Sequence, residues 1–303
     1  VSDSAVSLLE GIRVVQPGVP YARGCALFTD RSAQVYNTSD RSGFAEAVAL
    51  AREVDVVLMA IGEDAYESGE ARCKTDLRLK GLQVELLDAV LEVNPNVVVI
   101  LSHGRPMVIS SWADRVPAIL ATWQLGSESG NAIADVVFGD YNPSGCLPMA
   151  FPRNEGQIPV YYNHLSTGRP IVEGESKRHK THYIDAPNSP LFAFGHGLSY
   201  TRFAFSNLEV QVSGALPEVL VEVEVDVANI GDRAGEKVVQ MYLNDPVASR
   251  ARPVRELKDF RKIMLPSGES RTVRFTLTAE DLAFWTIHRR MEAEPCTFKI
   301  RIR

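Results

Sequence analysis

A single loop at residues 62–76 carries an unusual density of ionisable side chains. It reads GEDAYESGEARCKTD and holds five carboxylates, two cations and two glycines. It directly follows an apolar run at residues 54–62, which predicts a buried strand. Ligands of open α/β sheets bind beyond the carboxyl ends of the strands. A carboxyl group held there could serve as a general acid. On these residues alone, a solvated acidic loop is the simpler interpretation.

Two further segments are predicted to lie at the same edge of the sheet. Arg105 follows the apolar run at residues 97–102, and it could either contact a ligand or brace the acidic loop by pairing with a carboxylate. Trp123 lies near the end of a third run, at residues 118–123, on the ligand side of the sheet. The next turn, residues 126–131, lacks the glycine spacing of a phosphate loop.

Other chemistries have weak support in the sequence. His179 and His182 are three residues apart, but no third ligand stands at a recognisable spacing, so no metal site is predicted. A G-x-S-x-G motif is absent, and no cofactor is predicted. The four cysteines are far apart in the chain, and their spacing favours free thiols over disulfides: Cys25, Cys73, Cys146 and Cys296.

The secondary-structure elements that must position these residues are predicted from apolar periodicity, which differs between two parts of the chain. The apolar runs alternate with amphipathic segments at residues 42–53, 81–94 and 131–138, which is the βαβ rhythm. We therefore predict an α/β three-layer sandwich with a mostly parallel sheet over residues 1–160. From residue 203 to 303 the apolar period drops to two, which predicts an all-β sandwich. Residues 161–202, rich in Pro, Gly, Tyr and His, are predicted to form an irregular interdomain segment.

Composition excludes several classes of protein. The chain has 303 residues and a formal net charge of −6, with 45% hydrophobic and 23% charged residues. Nucleic-acid binding is disfavoured, because the charge has the wrong sign. No apolar stretch approaches about 18 residues, so no membrane span is predicted. The sequence begins with Val and shows no signal peptide, from which we expect a processed or partial polypeptide.

Several long motifs resemble one known family. They are NAIADVVFGDYNPSGCLPMAFP at residues 131–152, QIPVYY at 157–162, FGHGLSYT at 194–201 and RPVRELK at 252–258. These segments resemble the C-terminal half of family 3 glycoside hydrolases, and most closely the bacterial periplasmic β-glucosidase group. The similarity runs from about Val19 to the C-terminus.

The resemblance implies a three-part enzyme. The family has an N-terminal (β/α)8 barrel with the nucleophilic aspartate in a Ser-Asp-Trp motif, then an α/β sandwich, then a fibronectin type III-like domain. The chain contains no Ser-Asp-Trp, and its length cannot hold the barrel as well. The resemblance therefore implies a C-terminal portion that needs a barrel in cis or in trans, acts on a β-glucoside or oligosaccharide, and is periplasmic or secreted.

The resemblance also assigns roles to the acidic loop. Glu70 aligns with the family's acid/base glutamate, and Glu67 is the second choice because the loop varies in length. The remaining candidates for substrate contact or loop bracing are Glu63, Arg72, Arg105 and Trp123. The implied reaction is retaining hydrolysis, and the chain alone is expected to be inactive because it lacks the nucleophile.

Two alternative functions and four departures from the family pattern accompany this interpretation. The chain could be a stand-alone carbohydrate-binding or interaction module without catalysis. A nucleotide-binding α/β protein is disfavoured by the missing glycine fingerprint. The family commonly has Asn where His103 stands. It commonly has Tyr where His196 stands. It commonly has Gly where Asp259 and Cys296 stand, and we expect turns at those two positions.

Overall fold

The computed structural model describes residues 4–171 and 176–303. The chain divides into two compact units. Unit 1 comprises residues 1–141 and 151–158, and unit 2 comprises residues 142–150 and 159–303. The division at residues 160 and 202 stays a prediction about domains, whereas these units are defined by contacts within the chain. In the described part of the chain, no helix is long and apolar enough to cross a membrane.

Unit 1 is built around a short parallel sheet of β3 (Val57–Gly62), β4 (Val97–Ser102) and β5 (Ala118–Trp123), in that order. Among the described residues of unit 1, four helices accompany it: α1 (Leu8–Val15), α2 (Phe44–Glu53), α3 (Gln83–Leu91) and α4 (Ser129–Phe138). Helix α1 packs on α4, and α2 packs on α3. A small hairpin of β1 (Phe28–Asp30) and β2 (Val35–Tyr36) precedes α2, and 3-10 turns form at Ala113–Arg115 and Glu155–Gln157.

The strands of unit 1 form from buried apolar runs, and local hydrogen bonds fix where its elements begin. Strand β4 is almost wholly buried, as expected for a central parallel strand. Strand β3 begins three residues later than predicted. The side-chain amide of Asn94 donates to the carbonyls of Ala51 and Val54 at the end of α2 and ties this connection to the segment that precedes β4. Helix α1 begins with a capping box in which Ser7 and Glu10 satisfy each other's backbone N–H groups.

Unit 2 contains two antiparallel sheets. The first has the order β10 (Ser270–Thr278), β7 (Leu220–Asn229), β6 (Phe203–Ser213), and the second has the order β13 (Lys299–Ile302), β8 (Gly235–Asn244), β9 (Glu256–Leu265). A short helix α5 (Ala279–Leu282) and a two-stranded pair, β11 (Phe284–Trp285) with β12 (Met291–Glu292), complete it. Alternate residues of β7, β8 and β10 form the core, including Val223, Met241 and Phe275. The predicted fold class, an α/β sandwich followed by an all-β fibronectin type III-like sandwich, is confirmed.

The turn predicted at Asp259 is wrong. Asp259 lies inside β9, beside a register shift at which Met241 pairs with Asp259 and Tyr242 pairs with Leu257. The extra residue forms a β-bulge, and a bulge accommodates an unpaired residue without ending the strand. The four cysteines are free thiols, in agreement with the prediction from their spacing.

Candidate functional site

Three loops leave the same edge of the unit 1 sheet. The parallel register pairs Gly62 with Ser102 and Ser102 with Trp123, so β3, β4 and β5 end level with one another. A Cβ atom at Gly104 would lie 1.7 Å from Oγ of Ser68 and 2.9 Å from Nε2 of Gln124. The three loops therefore meet around a residue that must lack a side chain.

Gly62 sets the direction in which the acidic loop departs. Its φ of +149° is strained for residues with side chains, and a Cβ there would lie 1.9 Å from the carbonyl oxygen of Ser102. The side chain of Gln83 fixes this backbone, since its Oε1 accepts from the N–H of Gly62 and its Nε2 donates to the carbonyl. The start of the loop is consequently anchored to α3 as well as to the sheet.

A cluster of charged side chains, most of them from the loop itself, is buried. Lys74 places its Nζ 2.9 Å from Oε1 of Glu63 and 2.5 Å from Oε1 of Glu67. The side chains of Glu63, Glu67 and Lys74 are 2%, 4% and 12% exposed, respectively. Arg105 adds a second cation, with its Nε 3.3 Å from Oε1 of Glu63. Two cations thus balance two carboxylates in a place with little access to water.

Tyr36 connects this cluster to the β1–β2 hairpin. Its hydroxyl donates to Oε1 of Glu67 at 2.8 Å. Burial, followed by the hydrogen bond and the negative charge of Glu67, raises the pKa of Tyr36 to about 12. The other carboxylate oxygen of Glu67 accepts from the N–H of Asp64 at 2.9 Å. Both oxygens of Glu67 are therefore occupied by donors from the protein.

Arg105 holds the loop through its backbone. Its guanidinium donates to the carbonyl of Glu67 at 2.6 Å and to the carbonyl of Arg72 at 2.8 Å. The side chain of Arg72 points elsewhere, to Oε1 of Gln34 at 3.5 Å. These contacts brace the loop. They are made mainly with backbone carbonyls, and not through the bidentate pairing with a carboxylate that the sequence suggested.

Glu70 differs from its neighbours in the loop. It is exposed, and its side chain makes no hydrogen bond or ion pair with the described residues of the chain. It follows Gly69, whose φ is +127°. The loop therefore combines a buried cluster, in which the charges are balanced, with one exposed carboxylate that is free to contact a ligand.

The ring of Trp123 packs against other aromatic rings. Its φ of +54° is unusual for a bulky residue, and it follows a register shift between β4 and β5. The ring of His103 lies 4.4 Å from that of Trp123 and 5.4 Å from that of Phe151. His103 is 1% exposed, and burial lowers its pKa. Its Nδ1 lies 2.9 Å from the carbonyl oxygen of Arg105, while its Nε2 is buried without a partner.

Comparison with known proteins identifies the family of the chain. The sequence profile of the glycosyl hydrolase family 3 C-terminal domain matches residues 2–200, and that of the fibronectin type III-like domain matches residues 237–303. The chain belongs to glycoside hydrolase family 3. The predicted resemblance is confirmed.

Individual family 3 relatives agree over nearly the whole chain. A periplasmic β-glucosidase from Salmonella typhimurium is 39% identical over 100% of this chain and 41% of its own length. A β-glucosidase from Listeria innocua, solved in complex with glucose, superposes with a TM-score of 0.90 and 36% identity over 99% of this chain and 40% of that one. A β-glucosidase from Bifidobacterium adolescentis gives a TM-score of 0.82 at 33% identity, over 98% of this chain and 43% of its own. The chain thus spans about 40% of the length of these family 3 enzymes.

The family 3 site residues predicted from the sequence fall into two groups. The structure brings Glu63, Glu67 and Arg105 together in the buried cluster, whereas Glu70, Arg72 and Trp123 lie outside it. Sequence reasoning missed the roles of three residues in the site: Lys74, Tyr36 and His103. Lys74 was visible as one of two cations in the loop, and His103 as a departure from the family pattern. No local signal connects Tyr36 to Glu67, 31 residues away.

Proposed function

We propose that the chain is the C-terminal portion of a retaining β-glucosidase and supplies its acid/base residue, Glu70. The observation that carries this proposal is the contrast between two carboxylates on one loop. Glu67 is buried with both oxygens occupied, and Glu70 is exposed and unengaged. A general acid must reach the leaving group and exchange its proton during each turnover. Glu70 meets this requirement, whereas protonating Glu67 would break the contacts that hold the loop.

The remaining residues have positioning roles in this proposal. The cluster of Glu63, Glu67, Lys74 and Arg105 gives the loop a rigid base, and Trp123 offers an aromatic face at the same sheet edge. In retaining hydrolysis, the acid protonates the leaving oxygen while a second carboxylate, about 5–5.5 Å away, attacks the anomeric carbon. Glu70 then accepts a proton from the water that releases the sugar. The second carboxylate would come from a barrel domain in cis or in trans.

Relatives support the substrate class and location. The Salmonella, Listeria and Bifidobacterium relatives are β-glucosidases. We therefore propose β-glucosides as the substrate, and a periplasmic or secreted location from the Salmonella relative. The chain alone is expected not to turn over an aryl β-glucoside.

A chimera tests the proposal. This chain would replace the matching C-terminal region of the Salmonella enzyme, and kcat/KM would be measured with an aryl β-glucoside and with cellobiose. Glu70→Gln should lower kcat/KM for cellobiose by about 10²–10⁴-fold, the usual contribution of acid–base catalysis. The loss should be smaller for an activated aryl leaving group, which needs less protonation.

Glu67→Gln is the matched control, because it changes the same functional group three residues away. It should lower stability while leaving the ratio of the two kcat/KM values unchanged. The assignment fails if Glu67→Gln shows the leaving-group dependence and Glu70→Gln does not. An inactive parent chimera that folds normally would count against the β-glucosidase assignment itself.

A further inference from the structure

Unit 2 contains a pocket far along the chain from the acidic loop. Its volume is about 570 Å³, and most of its lining comes from the β8–β9 connection, residues 245–255. Ser166 and Arg301 of β13 complete the wall. Ser166 reaches it because Leu165 forms a bridge with Pro253, and the carbonyl of His164 accepts from the N–H of Val254. None of the lining residues belongs to the candidate site in unit 1.

The pocket is rich in unpaired positive charge. Arg250, Arg255 and Arg301, which we call the arginine rim, line it and are all exposed. Within the described part of the chain, none of the three side chains makes a hydrogen bond or an ion pair. Cations of an acidic protein ordinarily find carboxylates nearby, and this chain has 38 Asp and Glu against 32 Lys and Arg. Three unneutralised guanidinium groups around one concave surface therefore favour an anionic ligand.

A fourth arginine lines the pocket and is held in place by its contacts. Arg252 lies over the ring of Phe284 at 4.4 Å and donates from Nη2 to Glu256 at 3.1 Å. Asp245 is 6% exposed and has its Oδ2 3.8 Å from Nε of Arg252, and neither atom has a hydrogen-bond partner. The other oxygen of Asp245 accepts from Sγ of Cys296 at 3.2 Å. These contacts hold Arg252 in place and leave the arginine rim free to move onto a ligand.

The carboxylates near the pocket do not cancel the rim. Asp245 and Glu256 are opposed by Arg252, and Glu256 also pairs with Lys258 at 3.0 Å. Glu294 accepts from the N–H of Ser249 at 2.8 Å, which places one further negative charge beside the wall. Three rim cations therefore face one carboxylate that is not already paired with a cation.

The lining selects among anions. Guanidinium groups bind carboxylates through two parallel hydrogen bonds. Ser166, Asn244 and Ser249 also line the pocket, and their polar side chains suit the hydroxyl groups of a ligand. The volume admits a ligand of more than one sugar ring and far exceeds that of a bare ion. We propose that this pocket binds a carboxylated sugar, of the uronic acid class, through the arginine rim.

Titration calorimetry with the whole chain tests the proposal, using digalacturonate as the probe. Cellobiose is the neutral disaccharide control, and inorganic phosphate tests whether an anion alone suffices. Digalacturonate should bind, should weaken as NaCl is raised, and should bind at least tenfold more tightly than either control. Arg255→Gln and Arg301→Gln should each reduce its affinity by about tenfold, the effect of one charge-assisted contact.

Arg271→Gln is the matched control, because Arg271 is exposed in β10 and lies outside the pocket. It should leave the affinity unchanged. The proposal is overturned by an absence of heat, by equal binding of cellobiose, or by an equal loss in Arg271→Gln. Phosphate binding as tightly as digalacturonate would show a site for free anions and would overturn the sugar assignment. Far-ultraviolet circular dichroism of each variant verifies that the fold is retained.

Discussion

Replacing Lys74 with methionine should unfold unit 1 at a markedly lower denaturant concentration. Methionine keeps the length of the side chain and removes its charge. It would leave Glu63 and Glu67, with side chains 2% and 4% exposed, without their shared cation. Breaking a buried ion pair from one side costs about 3–5 kcal/mol. Losing one charged hydrogen bond, to Glu67, together with a close ion pair to Glu63 is consistent with that range.

The measurement is urea unfolding followed by tryptophan fluorescence at pH 7. Trp112 and Trp123 report on unit 1, and Trp285 reports on unit 2, so a Trp285→Phe background isolates the unit 1 signal. Arg41→Met is the control, because Arg41 pairs with Glu85 where both side chains are nearly half exposed. We expect no resolvable change from that variant, as is common for surface pairs. Equal midpoints for Lys74→Met and Arg41→Met would refute the buried cluster as a source of stability.

Three further outcomes are expected in unit 1. Between pH 10 and about 12, the folded chain keeps the Tyr36 proton, whereas the unfolded chain has released it. The free energy of unfolding should therefore fall as pH rises through that window, and Tyr36→Phe should reduce the fall. Because burial lowers the pKa of His103, the unfolded chain takes up a proton more readily than the folded chain as pH drops below about 6.5. The urea midpoint should therefore fall from pH 7 to pH 5, and it should fall less in His103→Asn. Gly62→Ala should cost about 2 kcal/mol or more, since its Cβ would strike the Ser102 carbonyl, whereas Gly126→Ala, in open space, should be neutral in the same urea experiment.

The sheet of unit 1 is predictable because its strands are continuous apolar runs. β4 and β5 have the predicted bounds, and β3 begins three residues later than predicted. The residues before β3 are held by Asn94, which is distant in the chain and gives no local signal. In unit 2 the alternation of Val221, Val223 and Val225 identifies β7 at once. β6 and β9 are harder to recognise, because β6 is exposed along most of its length and β9 contains a bulge that shifts its pattern.

The candidate site is predictable in place but not in arrangement. An acidic loop after a buried strand points to the sheet edge at which the structure brings the three loops together, and the family resemblance offers Glu70 and Glu67 as alternatives. The distinction between them depends on Tyr36 and Lys74, whose contacts with Glu67 arise from folding and not from spacing in the chain. Local patterns report which residues are near one another in sequence, and they carry little information about which charges become buried together.

The chain passes between its two units three times, at residues 141–142, 150–151 and 158–159. Residues 142–150 are bound within unit 2: Asn142 accepts from Ser199 and Tyr200, and Leu147 donates to the carbonyl of His196. This connectivity matters for recombination between family members. A gene crossover near residue 160 would give unit 2 a segment from a different parent and would mismatch these contacts. Exchange of whole units requires breakpoints at all three passages, so a single crossover in this region of the chain cannot transfer unit 2 intact.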